Sequence, residues 1–562
     1  MNKAKQVGIL LATAMSILLF GEMGVATFAY ASTSTAVQSP IRIQGVVFDE
    51  NGEPIPGAAI FQKGTAVGSI SETDGSFVIS VTEGTTLTIS CIGYTEIEVA
   101  AKDGMKIILS EDKMLLDEVV VVGYGQQRKE LMTSSVVQVN SKDLQKAPQT
   151  NVSNMLTGKL AGVTSIQSTG QPGADAADIT IRGLSTYGSN NRPLYIIDGM
   201  ESESMNFLNP NDIESISVLK DAAAASVYGV RGGNGVILIT TKSGSKSDHA
   251  TISYDGSFTV TRNVGEPELL NAEEYIYWYN KTLTQDGKAP VWTDEVINKM
   301  KEQGIYGDTN WRDLIYSKVG LMHQHNVSVN GGNNKVSYFG SVGYMDQKGT
   351  LKNFNFNRLN ARASINAQIL PGLRFNANLS MRRSLRSQPA YDMGNQAYFS
   401  PIQRANYMIP IIKPEYNGLP LGMYNSGAVL SPNNEIENSG YQKYQTWEWQ
   451  ARSSLEYKFS DNTVLKGLKL SFFAGINFIM ESAQQFAQRS ELYAFDRNTF
   501  SVSKTVSEGI SIHNFNKSTT WNSRVTFRPQ INYDRTFGLH TVSFTGLFER
   551  TKYFTDFLKG YK

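Results

Sequence analysis

From about residue 250 onward the chain alternates apolar and polar side chains with a period of two. Leu359, Ala361, Ala363, Ile365, Ala367 and Ile369 interleave with Asn360, Arg362, Ser364, Asn366 and Gln368. After Pro371-Gly372, the residues Leu373, Phe375, Ala377, Leu379 and Met381 alternate with Arg374, Asn376, Asn378, Ser380 and Arg382. Trp447, Trp449, Ala451, Leu455, Tyr457 and Phe459 repeat the pattern against Glu448, Gln450, Arg452, Glu456 and Lys458. This is the signature of strands with two unlike faces. Runs of about ten residues or more exceed the usual soluble strand of about five or six. The pattern predicts about nine strands, near 250–262, 323–332, 334–347, 355–369, 371–384, 445–459, 466–483, 517–534 and 538–556. A soluble sheet with one wet face shows the same period. The connections argue against it: long at 263–322, 385–444 and 484–516, tight at 371–372, 460–465 and 535–537. Long loops on one rim and tight turns on the other are the mark of a membrane-spanning barrel. Trp447, Trp521 and Tyr533 near strand ends fit its interfacial girdles. Chain entering the first strand from the periplasm places the long loops outside.

The residues before 250 read differently. Lys3 and Lys5, a mostly apolar Val7–Phe20 and the small pair Ala29 and Ala31 form a cleavable signal peptide over 1–31. A transmembrane anchor is the alternative, but the apolar run falls short of the roughly 20 residues a span needs. Residues 41–110 carry short β-runs broken by turn signals such as Asp74-Gly75, the pattern of a small β-sandwich. Cys91, on one of these apolar runs, reads as a small buried hydrophobe. Residues 126–245 mix helix and strand. Val152, Met155, Leu156 and Leu160 have helical spacing, "RPLYIIDG" and "NGVILITTK" read as strands, and Asp221 precedes a short alanine-rich helix. The glycine-rich "GVRGGNG" leaves a helix and enters a strand, the reverse of a phosphate-cradling loop.

Composition narrows the function. A net charge of +1 carries no nucleic-acid footprint. The single cysteine excludes an internal disulfide framework and a multi-cysteine metal site. No nucleophile elbow, zinc-protease motif or P-loop is present, so no enzyme and no cofactor is expected. His323 and His325 share a strand face without a third ligand at metal spacing, so no metal is expected there.

Several stretches together resemble SusC-like, TonB-dependent outer-membrane transporters of the Bacteroidetes type. "GVVFDENGEPIPGAAI" resembles the carboxypeptidase-regulatory-like domain that precedes the plug in that family. "LDEVVVVGYG" at 116–125 resembles its TonB-box segment. "NMLTGKLAGV", "IRGLSTYGSNNRPLYIIDGM" and "LNPNDIESISVLKDAAAASVYGVRGGNGVILITTK" resemble its plug signature. The implied fold class is mainly β: signal peptide, small β-sandwich, α/β plug over 126–245, and a partial transmembrane antiparallel β-barrel over 250–562. The resemblance implies energised import of a nutrient, an oligosaccharide or a peptide. It implies TonB with ExbB and ExbD as the energy source, a SusD-like surface lipoprotein as partner, and outer-membrane lipid around the barrel. Such a barrel has about 22 strands, so about nine suggest part of a longer protein. A split gene or a short non-transporting periplasmic binding or signalling protein are the alternatives.

Three groups of residues are candidates for function. The first is Asp117, Glu118, Val119, Val120, Val121, Val122, Gly123 and Tyr124. As an extended strand, this run would add to the edge of a TonB sheet, with main-chain hydrogen bonds giving affinity. It would otherwise be an edge strand of the sandwich or the plug. The second is Arg182, Asp198, Asp221 and Arg231, either ion pairs that hold the plug shut or ordinary turn and cap chemistry. The third is the outer-loop aromatics Tyr275, Tyr277, Trp278, Tyr398 and Tyr407, set for partner contact, core packing or sugar stacking.

Overall fold

The computed structural model describes residues 41–562 apart from short stretches, the longest at 111–118, 129–135, 185–190, 391–400 and 507–513. Ala29, Ala31 and Tyr398 lie outside the described residues. The chain divides between Glu118 and Val119 into two compact units.

The first unit is a β-sandwich, as the turn spacing predicts. Ile41–Phe48 lies between Ser76–Val81 and Met105–Ile108 in a three-stranded sheet. The second sheet runs in the order Gly68–Ile70, Ala59–Gln62, Thr86–Ser90, Ile97–Ala100. Ile43, Val47, Ile60, Phe77, Leu87 and Ile89 from both sheets fill one core, and Cys91 packs half-buried against it. Gly45 is required by packing, because a Cβ there would meet the Phe77 ring at 2.6 Å. The Asp74-Gly75 turn carries the chain from one sheet to the other, rather than closing a hairpin within one sheet.

The second unit contains a mixed five-stranded sheet in the order Val136–Asn140, Ile213–Leu219, Val236–Thr241, Leu194–Ile197, Met200–Ser202. The helix expected around 152–160 shrinks to a single turn, Val152–Met155. Gly158 and Gly162 take φ of 72° and 77°, a conformation no helix contains. Val152, Met155, Leu156 and Leu160 are buried all the same, in the core of this domain.

Around this domain wraps a long antiparallel sheet. Its first eight strands are Thr251–Thr261, Gly320–Gly332, Val336–Lys348, Asn355–Leu370, Leu373–Pro389, Gly440–Lys458, Leu468–Ala487 and Asn514–Phe537, each paired with the next. His540–Leu547 and Arg550–Tyr561 both pair with the eighth, so the ninth predicted strand is split in two. The sheet is inside-out relative to a soluble protein. Arg358, Arg362, Glu448, Arg452, Asn477 and Arg524 are buried toward the plug, while Ile365, Leu379, Trp449, Phe472, Ile476 and Phe527 are exposed on the outer face. Apolar outward and polar inward is the alternation of a barrel in lipid. Trp447, Trp521 and Tyr533 share that outward face by register. No helix among the described residues is long and apolar enough to cross a membrane.

The long connections pack into a shared core of their own. Trp292 and Trp311 from the first, Ile409, Ile411, Ile412 and Leu421 from the second, and Phe495 from the third are all buried together. Trp311 donates its indole N–H to the Ile409 carbonyl at 2.8 Å. Truncating it removes a buried ring and that hydrogen bond. Trp311→Ala should cost about 3–5 kcal/mol locally. The expected outcome is faster proteolysis within residues 263–322 and 400–440, with the strand-rich sheet unchanged by circular dichroism.

Candidate functional site

One hairpin of the plug carries a charged contact with the barrel wall. Ile197 and Met200 pair across the two-residue turn Asp198-Gly199, whose φ angles are 43° and 81°. Positive φ at both turn positions is what a tight two-residue hairpin requires, and Asp-Gly tolerates it. The turn aims the Asp198 carboxylate into the interface. The Thr241 N–H and hydroxyl donate to it at 2.8 and 2.5 Å. Two barrel arginines complete its shell: Arg452 at 2.8 Å and Arg362 at 3.4 Å. Burial alone would raise the Asp198 pKa. Arg452, Arg362 and the Thr241 donors outweigh it and hold the carboxyl below its ordinary value. Its ionised form is therefore the bound form at neutral pH. That contribution is present above the free-carboxyl value and is lost as pH falls through the lower folded one.

The same hairpin is gripped along its backbone. Arg452 donates to the Ile197 carbonyl at 2.5 Å, Arg528 to the Gly199 carbonyl at 3.0 Å, and Arg524 to the Glu201 carbonyl at 2.9 Å. Arg362 also donates to the Thr241 hydroxyl and the Ser380 hydroxyl. Thus arginines from the fourth, sixth and eighth strands converge on five plug residues. A guanidinium suits the task because its planar fork can serve a carboxylate and a carbonyl at once. Further along, Arg358 donates to the Thr150 carbonyl at 3.0 Å, Asn360 to the Phe207 carbonyl at 2.9 Å, and Asn209 to Asn326 at 2.8 Å. At the plug's far tip, Gln171 reaches Gln388 at 2.5 Å and Gln388 reaches Gln442 at 2.9 Å.

The four charged plug candidates separate. Asp198 is bound by the barrel, as described. Arg231 pairs with plug Glu201 at 2.5 Å and with Glu549, beyond the eighth strand, at 3.3 Å. Arg182 and Asp221 pair with each other at 2.6 Å on the plug's own exposed surface. Asp221 sits at the N-cap position, but its side chain makes no cap hydrogen bond, and the ion pair takes its place. Arg362, Arg452, Arg524 and Arg528 were visible in the sequence only as polar halves of an alternation. Arginine recurring at inward positions of successive strands was the available signal.

The aromatic candidates separate too. The helix Ala272–Gln285 is held by an Asn271/Glu274 capping box. One of its faces turns Tyr275 and Tyr279 toward Trp292. Burial raises the Tyr275 hydroxyl to about 12. Tyr277 and Trp278 are exposed on the other face, with the Lys281 ammonium over both rings at 5.3 and 4.7 Å. Tyr407 is exposed. His325 meets the Tyr254 hydroxyl at 2.7 Å, His323 lies 3.9 Å from Asp346, and no cluster of three potential metal ligands occurs among the described residues.

The four valines pair at home. Val119–Val122 forms a two-stranded antiparallel hairpin with Gly125–Arg128, in register Val119 to Arg128 through Val122 to Gly125. Among the described residues the hairpin forms a two-stranded sheet of its own. Asp117, Glu118, Gly123 and Tyr124 lie outside the described residues.

The plug grip is testable without reference to function. Asp198→Asn strips the counter-charge from two buried guanidinium groups, a change typically costing about 3–5 kcal/mol. Faster trypsin cleavage within the plug is expected. Arg182→Ala removes an exposed intraplug pair together with its own trypsin site, and should leave cleavage at the other plug sites unchanged.

Comparison with known proteins agrees with this architecture. Residues 43–121 match the CarboxypepD_reg-like domain family and residues 128–236 the TonB-dependent Receptor Plug Domain family. The chain is 36% identical over 353 residues to TonB-dependent receptor SusC of Bacteroides thetaiotaomicron, covering 61% of this chain and 34% of SusC. It is 33% identical over 361 residues to TonB-dependent receptor P26 of Formosa agariphila, covering 63% of this chain and 35% of that protein. The chain thus spans about a third of the length of these relatives. Among solved structures, the RagAB peptide importer in its open-open state matches with a TM-score of 0.58 at 21% identity, over 79% of this chain and 55% of that one. The matched residues thus give the chain a CarboxypepD_reg-like domain and a TonB-dependent receptor plug, and make it a homologue of TonB-dependent receptor SusC over 353 residues.

Proposed function

We propose that this chain is the gated part of an outer-membrane importer that TonB opens by pulling. The observation that carries the reading is the grip on the plug hairpin. It is strong but polar, made of carboxylate, carbonyl and amide contacts to buried arginines and asparagines. Water can replace such partners, so each broken bond to a charged group costs about 1.5–3 kcal/mol net once both groups are wetted. The plug's own core is apolar, and its exposure would cost far more. A pull therefore loosens the plug from the wall before the plug itself comes apart.

The handle is the hairpin at 119–128, which falls at the join between the two matched domains. An isolated two-stranded hairpin is marginal in water. Its valines are therefore available for exchange onto the edge of a TonB sheet, with ExbB and ExbD driving the pull. A signal peptide over 1–31 would deliver the chain to the periplasm, with the domains before the barrel remaining there.

For the cargo we favour an oligosaccharide. The inward wall beyond the plug tip mixes amides and hydroxyls, including Gln388, Gln442, Thr446, Ser518 and Thr520, with two charged groups, Glu481 and Arg386, the latter lying 4.3 Å over the Tyr444 ring. Neutral donors and acceptors beside an aromatic ring match the hydroxyls and apolar faces of sugars. A cleft of about 520 Å³ opens between plug residues Thr169–Pro172 and the outer connections at Val264, Glu266, Tyr316 and Phe354. Filling it would press on the tip that Gln388 holds. The exposed Tyr277 and Trp278 pair suits a SusD-like lipoprotein as lid.

Val120→Pro tests the handle, since proline removes a ladder donor. Uptake of labelled oligosaccharide by cells carrying the whole receptor should be abolished at unchanged protein level. Equal uptake would contradict the pulling role. Uptake of peptide with no uptake of glycan would instead reassign the cargo.

A further inference from the structure

The outward face of the sixth, seventh and eighth strands is not uniformly apolar. Cross-strand register sets it in rows. Trp447, Met480 and Trp521 form one row. Moving toward the long connections, Gln445, Ser482 and Thr519 form the next, followed by Lys443, Gln484 and Lys517. Tyr441, Phe486 and Phe515 form the last. Two polar rows therefore lie between two rows rich in aromatic rings, directly beyond an apolar face that includes Trp449, Phe472 and Ile476.

The polar rows are organised. The Gln484 amide donates to the Tyr441 hydroxyl at 3.1 Å, and the Thr519 hydroxyl donates to the Ser482 hydroxyl at 3.3 Å. Lys443 lies over the Tyr441 ring at 4.5 Å, and Arg383 over the Trp447 ring at 5.7 Å. Lys443 and Lys517 are exposed, and two strand spacings put their backbones about 10 Å apart. None of the twelve positions is acidic. The flanking carboxylate on this face is Asp556, across from Trp521.

We propose that this patch binds the head of a phosphorylated glycolipid in the outer leaflet. The separated ammonium groups of Lys443 and Lys517 meet two phosphates. The amides and hydroxyls between them meet sugar hydroxyls, and the bounding rings cover the apolar sugar faces. A lipid is the fitting source because the patch continues an apolar surface that acyl chains would cover, at the rim where aromatic girdles mark the interface. The alternative is that both lysines only reach into interfacial water. The proposal rests on the membrane-spanning reading of the sheet. A protein that stays dispersed without detergent would sink both together.

The test is native mass spectrometry of the full chain purified in detergent, titrated with diphosphorylated lipid A, its dephosphorylated form, and phosphatidylglycerol. The expected result is preferential retention of the diphosphorylated lipid, at least about tenfold over the dephosphorylated form. Retention should be lost in K443Q/K517Q and kept in K443R/K517R, all with the parental thermolysin pattern. Equal retention of phosphorylated and dephosphorylated lipid would overturn the proposal. So would undiminished retention by the glutamine variant, or displacement by millimolar inorganic phosphate, which would mark a loose anion contact. If the glutamine variant does not fold, the comparison of the two lipid A forms on the parent chain still decides.

Discussion

Everything in the second unit turns on how a charged interface is kept dry. Asp198 is placed by a turn whose φ angles only a few residue types accept, and two barrel arginines close on it. Removing three charged groups from water is costly, and their mutual attraction offsets that cost only with good geometry and enough additional donors. Thr241 and the Ile197 carbonyl add further contacts. An apolar seam of the same area would be comparably stable but could not be rewetted piece by piece. On the proposed function, the polar grip would close the pore at rest and still yield to a directed pull.

The barrel supplies the other half of that arrangement. Its strands are polar where they face the plug and apolar where they face outward, so one alternation serves both the gate and the lipid. The outer connections add a third layer with its own aromatic and aliphatic core. On the proposed function, the packed outer module, the polar grip and the two-stranded hairpin at the plug's N-terminal side would form a gradient of stability along the line of pull. The weakest element lies where the force would be applied.

Much of this was legible in the sequence, for identifiable reasons. Strand positions followed from period two, because inside-out alternation is unusually strict over long runs such as 359–369. The sandwich followed from turn spacing. The helix at 152–160 was over-read, because the apolar spacing was right while two glycines imposed a different backbone. Asp221 looked like a cap, but its partner Arg182 is distant in sequence, and such pairings leave no local trace. For the same reason Arg362 and Arg452 stayed anonymous until the fold brought three strands onto one hairpin. Tyr275 and Tyr277, two residues apart, fell on opposite faces of one helix, and the face assignment needed the position of Trp292.

On the proposed function, the hairpin around Asp198 holds the plug and tension on the N-terminal side releases it. Single-molecule pulling from a handle just before Val119, with the strand sheet held in a lipid bilayer, measures this directly. The expected result is a first rupture that frees the plug while the sheet remains embedded, at a force clearly lowered by Asp198→Asn and unaffected by Asp221→Asn. A first rupture that extracts the strands, or an unchanged rupture force with Asp198→Asn, would contradict it.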